Sequence, residues 1–192
     1  MKTLKTHSHK QLASYLVEQY ISDAPRRHVC AFKLGCIEPD KNYLTYVKGS
    51  IKYQWLRGHN WGNTNRYMAR VSRKLERKDH FNLLDFYKLG KLIHYIADAF
   101  TFAHNPSFDT NLKKHRSYEG RLESYLPWQI SNYTHNATDY DMTLMEVIRC
   151  YHNEYVQKPK SIHTDASFSI IVCSTILDLL FIKEECNVAY NE

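Results

Sequence analysis

His94 and Asp98 stand four residues apart, as do His115 and Glu119, and His104 lies between the two pairs. On an α-helix residues i and i+4 share one face about a turn apart, so each pair can turn two donors toward a single ion. Imidazole nitrogens with carboxylate oxygens form the ligand set that zinc takes in hydrolytic sites, where a remaining position holds water. The same spacing recurs as ordinary ion pairs on solvated helices, so context has to separate the two readings. Around the first pair, Leu89, Leu92, Ile93, Ile96, Ala97 and Phe100 make the helix largely apolar. A histidine and an aspartate among such neighbours need a partner, and a metal ion would be one.

The elements that must position these residues read as helices. The first should start near Ser8-His9, bury Leu12, Ala13, Leu16, Val17 and Tyr20, and stop at Asp23-Ala24-Pro25. His9 then falls on its first turn, and His7 is close enough to be its alternative. A second apolar stretch, VCAFKLGCI, runs into Glu38-Pro39-Asp40, where proline predicts a bend that leaves Asp40 at the end of the element, a place where ligands often lie. An aromatic segment follows, with Tyr43, Tyr46, Tyr53, Trp55 and Trp61, and with His59 after Gly58. These rings suit core packing or a substrate wall, core packing being preferred.

A helix from Asn60 carrying Tyr67, Met68, Val71 and Leu75 is expected next, then a long helix from about Asn82 to Phe102 with the first pair. A loop around Asn105 to Asn111 leads to the helix with the second pair. Beyond it lie a helix from Tyr140 through Tyr155, the charged linker QKPKSIH and an apolar last helix. His28, His80, His135, His152 and His163 read as surface histidines.

The chain has 192 residues, with few glycines and prolines and no low-complexity linker, which predicts one compact all-α domain. A net charge of +6 favours anionic partners, but the basic residues are dispersed over a solvated surface. Cys30, Cys36, Cys150, Cys173 and Cys186 form an odd set without a CxxC pair and read as reduced thiols. The opening MKTLKTHSHKQLASY lacks the apolar core of a secretory signal, so a cytoplasmic location is expected. Phe168 to Ile182 is shorter than a membrane span and contains Asp178, so a buried core helix is expected and no transmembrane segment.

The ordered series His9, Pro39-Asp40, Gly58-His59, His94-Tyr95-x-x-Asp98, His104 and His115-x-x-Tyr118-Glu119 resembles the bacterial zinc-dependent phospholipase C family, itself similar in fold to the fungal and plant zinc nucleases. The resemblance covers about the first two thirds of the chain. It implies an all-helical fold with a cluster of two to three zinc ions in a cleft. Asp40, His59, His94 and Asp98 would hold the first zinc, and His104, His115 and Glu119 the second. His9 would hold a third with Asp98 and an N-terminal group, for which Met1 is the candidate here. Asp40 would orient or deprotonate the attacking water. Glutamate at 119 resembles the phospholipases, where the nucleases usually carry aspartate.

The reaction implied is hydrolysis of a phospholipid to diacylglycerol and a phosphorylated headgroup at a membrane surface, with positive charge and surface aromatics aiding adsorption. Two alternatives share the ligand set. One is a nuclease or soluble phosphodiesterase, for which the aromatics would be a base-stacking platform. The other is a non-catalytic zinc-binding protein. His94→Ala and Asp98→Ala are each expected to abolish metal binding together with turnover, read by elemental analysis and phosphodiester hydrolysis. Full zinc and full activity in either variant would overturn the metal reading.

Overall fold

The computed structural model describes residues 5–42, 61–104, 112–134 and 141–189. Among them the fold is all-α: α1 (Lys5–Tyr20), α2 (Arg26–Lys41), α3 (Trp61–Leu75), α4 (Leu83–Ala99), a 3-10 turn (Phe102–His104), α5 (Leu112–Ser131), α6 (Leu144–Tyr155) and α7 (Ile162–Ala189). The first helix begins three residues before the expected Ser8, which moves His9 from the first turn to the second. Its buried stripe is Leu12, Ala13 and Leu16, with Val17 and Tyr20 packed at the margin, and it stops before Pro25.

The centre of the fold is α4. Asn82 caps it by accepting from the amides of Leu84 and Asp85, while the Asp85 carboxylate accepts the Asn82 amide, a capping box that fixes where the helix starts. Every residue from Leu92 to Phe100 is buried, so no face of this part is left to solvent. Burying each of Leu89, Leu92, Ile93 and Ile96 contributes about 1.5–3 kcal/mol.

Among the described elements, the packing of α2 on α4 is the most extensive. His28 stacks on Phe86, Gly35 meets Gly90, Lys91 reaches Glu38 and His94 reaches Cys36, so contacts advance together along both helices and the two run parallel. A Cβ on Gly35 would overlap the Tyr87 carbonyl, and one on Gly90 would overlap the Phe32 carbonyl. Only glycine permits this approach. Pro39 does not end α2 as expected: the helix runs on through Lys41, which puts Asp40 inside its last turn. Proline there leaves the Gly35 carbonyl without its usual amide partner, a loss that the dense packing of α2 on α4 offsets.

Against the other side of α4, α7 runs antiparallel, pairing Asp165 with Phe102, Phe168 with Phe100, Cys173 with Ile93 and Phe181 with Phe86. Its span Ile162–Phe181 is longer than the apolar run suggested, and by length and composition it could cross a membrane, yet 78% of its apolar window is buried inside the fold. It is the core helix the sequence led us to expect. Thr143 and Glu146 form a capping box on α6, which therefore starts later than Tyr140. Cys30, Cys36, Cys150 and Cys173 are free thiols.

His152 departs from its surface reading. It is half-buried on α6, stacked on Trp61 at 3.8 Å between ring centres and edge-on to Phe100. Burial pushes its imidazole down to about 4.

Helix propensity alone would favour alanine over glycine by about 0.5–1 kcal/mol. Gly120→Ala, where a Cβ meets nothing within 4 Å, should therefore raise the urea midpoint. Gly90→Ala should instead cost about 1–3 kcal/mol or more, because the helices must part. A stabilised Gly90→Ala would refute the close crossing. The unfolded chain protonates His152 near 6.5, and the folded chain does so only near 4. Its contribution to stability is therefore present above pH 6.5 and lost as pH falls toward 4. His152→Phe should gain stability relative to wild type between pH 7 and pH 5, measured by urea unfolding at each pH; a constant difference would contradict the burial argument.

Candidate metal centre

The ends of four elements meet beside α4. His94 and Asp98 lie on one face of that helix, with His94 Nε2 3.3 Å from Asp98 Oδ2. Across from them α1 brings His9, whose ring stacks on His94 with centroids 4.0 Å apart and whose Nε2 lies 3.2 Å from Asp98 Oδ1. The last turn of α2 adds Asp40, 3.8 Å from His94 Nε2 and 4.0 Å from His9 Nε2. His94 is oriented from behind: its Nδ1 is 2.9 Å from the Cys36 carbonyl. A carbonyl only accepts, so Nδ1 carries the proton and the Nε2 lone pair faces the carboxylates. Burial, and next the charge of His9, hold the His94 imidazole below its usual value, which keeps it in the neutral form a metal requires.

The second group is built just beyond the end of α4. Thr101 folds back on the helix, its amide donating to the Asp98 carbonyl and its hydroxyl to that of Ala97, and the His104 amide then donates to the Thr101 carbonyl. This places His104 Nε2 3.4 Å from Glu119 Oε1, while His115 Nδ1 lies 3.3 Å from Glu119 Oε2 on the same face of α5. His104 Nε2 is also 3.5 Å from Asp98 Oδ1, which joins the two groups into one cluster.

These separations fit donors around a metal better than donors to each other. Strong hydrogen bonds of this type fall at about 2.7–3.2 Å. Two ligand atoms at zinc bond lengths of about 2.0–2.2 Å in a tetrahedral site stand about 3.3–3.6 Å apart. Around Asp98 and Glu119 the nitrogen–oxygen distances run from 3.2 Å, the one that is also a hydrogen bond, to 3.5 Å, and Asp40 stands further off at 3.8 and 4.0 Å. His9, His94 and Asp98 form one set able to hold an ion, and His104, His115 and Glu119 another. Charge points the same way, because three carboxylates, Asp40, Asp98 and Glu119, are buried here. The parallel α2 and α4 also direct their C-terminal ends to this place, where the helix dipoles favour a cation.

A cavity of about 40 Å³ adjoins the cluster, lined by His9, Asp98, His104 and Glu119 together with apolar Leu12 and Leu122. That volume has room for at least one water molecule, which needs about 10–15 Å³ of such space. Polar donors beside an apolar wall give a partly desolvated site in which charge interactions are strengthened.

Of the residues singled out in the sequence, His9, Asp40, His94, Asp98, His104, His115 and Glu119 are brought together, and His59 lies outside the described residues. The choice between His7 and His9 falls to His9, since His7 is exposed. Asp40 is not at the mouth of the site. It lies beneath His9 and His94 with its side chain 1% exposed, because α2 continues past Pro39. His28 packs on Phe86, His80 is exposed, and exposed His163 meets the Tyr125 hydroxyl. His135 and the aromatics Tyr43, Tyr46, Tyr53 and Trp55 also lie outside the described residues, and Trp61 serves packing against His152.

Sequence reasoning missed Asp165. It is fully buried and accepts from the Phe102 amide and from the Tyr118 and Tyr155 hydroxyls at 2.7, 2.8 and 2.9 Å. Burial pushes its carboxyl up to about 6 although these three donors pull it down. A signal for it existed: an acid in the first turn of the most apolar helix needs a buried partner.

No curated protein and no solved structure matches this chain. A sequence model of the zinc-dependent phospholipase C family matches residues 8–162, a span that opens one residue before His9, takes in all eight candidate side-chain ligands and covers most of the chain. The chain therefore belongs to the zinc-dependent phospholipase C family.

Proposed function

We propose that this protein hydrolyses the phosphodiester of membrane phospholipids, releasing diacylglycerol and a phosphorylated headgroup. The observation that carries the reading is the junction of the two groups, where His104 Nε2 lies within 3.5 Å of Asp98 and 3.4 Å of Glu119. Two adjoining sets of three donors suit the closely spaced pair of ions that stabilises both the attacking and the leaving oxygens of an in-line displacement at phosphorus.

His9, His94 and Asp98, with Asp40 beside them, would hold one zinc ion, and His104, His115 and Glu119 a second; the resemblance would add His59 to the first and divide that group between two ions, His9 sharing Asp98 with a third. Zinc bound there supplies Lewis-acid neutralisation of the phosphodiester oxygens and lowers the pKa of water toward neutrality. The water role expected of Asp40 passes to Asp98 and Glu119, the two carboxylates that face the cavity. They would orient the water, and one of them would accept its proton as the new phosphorus–oxygen bond forms. The bond to the glycerol oxygen breaks, and that oxygen leaves with a proton from solvent. Asp40, which does not line the cavity, would contribute charge and position to the first site.

Elemental analysis of untagged protein should find two to three zinc ions per chain, and the same sample should release phosphorylated headgroup from phosphatidylcholine vesicles. Chelation should abolish turnover and added zinc restore it. Cleavage of single-stranded DNA without lipid turnover would replace this reading by a nuclease. Stoichiometric zinc with no phosphodiester hydrolysis would replace it by a non-catalytic zinc protein.

A further inference from the structure

We propose that Asp165 is a positioning residue for the second group of donors, its carboxylate holding the elements that carry His104 and Glu119 at their mutual spacing. The inference rests on the zinc reading above. It concerns a residue beyond the family match, which ends at residue 162.

One oxygen does the joining. Asp165 Oδ2 accepts the Phe102 amide at 2.7 Å and the Tyr118 hydroxyl at 2.8 Å. Phe102 opens the 3-10 turn that ends on His104, and Tyr118 immediately precedes Glu119 on α5. The rings of Phe102 and Tyr118 meet edge to face at 5.9 Å, so the bridge is packed as well as bonded. Hydrogen bonds to a buried carboxylate are short and about twice as strong as neutral ones, which suits a fixed spacer. The other oxygen, Oδ1, accepts the Tyr155 hydroxyl at 2.9 Å from α6, which holds none of the candidate ligands. The carboxylate thus has one oxygen toward the metal-bearing elements and one away from them.

That asymmetry supplies the test. Zinc content and affinity of the wild-type chain are measured first, by elemental analysis and chelator competition. A wild type without zinc would overturn the zinc reading and this proposal with it. Tyr118→Phe removes one hydroxyl and is expected to weaken one zinc ion about tenfold, as loss of a partner behind a ligand does, while the remaining zinc keeps its affinity. The visible spectrum of the cobalt-substituted protein should change with it. Tyr155→Phe is expected to lower Tm while leaving zinc affinity within twofold of wild type. Asp165→Ala should lose the second ion. Asp165→Asn should keep it, since its amide oxygen can still accept from Phe102 and Tyr118 while its NH2 donates to Tyr155. Wild-type zinc affinity in Tyr118→Phe would overturn the proposal, and so would equal weakening of zinc in the two phenylalanine variants, which would mark a general structural role. Should Asp165→Ala not fold, Tyr118→Phe decides the question.

Discussion

Gly35 of α2 and Gly90 of α4 let two helix backbones meet where any side chain would hold them apart, and the cluster of histidines and carboxylates lies one to two turns further along the same pair. Several features depend on that approach. It brings the Cys36 carbonyl within 2.9 Å of His94 Nδ1, which selects the tautomer that turns the other nitrogen inward. It also carries Asp40 to the level of His94 and Asp98, at the end where both helices finish. A looser crossing would leave three buried polar groups to find other partners, each at a cost of about 1–3 kcal/mol.

Charge makes such a cluster suited to a cation. Asp40, Asp98 and Glu119 are 5%, 3% and 7% exposed, and imidazoles lie close to each of them. The converging C-terminal ends of α2 and α4 add negative potential. His94 contributes a neutral ring, held so by burial. Anions taken out of water in this way require positive charge close by, and divalent cations among nitrogen and oxygen donors supply it more compactly than any side chain. The apolar wall of the adjoining cavity then favours reactions in which charge develops next to bound ions, because less water screens it.

The last helix has a double part. Most of α7 is core, packed antiparallel along α4 through Cys173 and Phe168. At its first turn, after the Ser161 hydroxyl accepts the Thr164 amide, it presents Asp165 to the two elements that complete the cluster. A helix that could be taken for a membrane span from its composition thus packs the interior at one end and braces the candidate centre at the other.

Much of this was legible before any coordinate. The pairs His94/Asp98 and His115/Glu119 follow from spacing alone, since the i and i+4 relation is a property of the helical backbone and needs no tertiary information. The stop before Pro25 and the start at Asn82 follow likewise from local backbone chemistry. The joining of His9 and Asp40 to those pairs followed only from the family resemblance and not from local spacing, and the choice of His9 over His7, the burial of Asp40 beyond Pro39, the stacking of His152 and the bridge made by Asp165 did not follow at all. Each of these is set by how closely and in which direction helices cross, and that depends on small residues meeting across an interface and on packing between segments far apart in the chain. Local periodicity carries no record of such meetings; only the folded arrangement decided them.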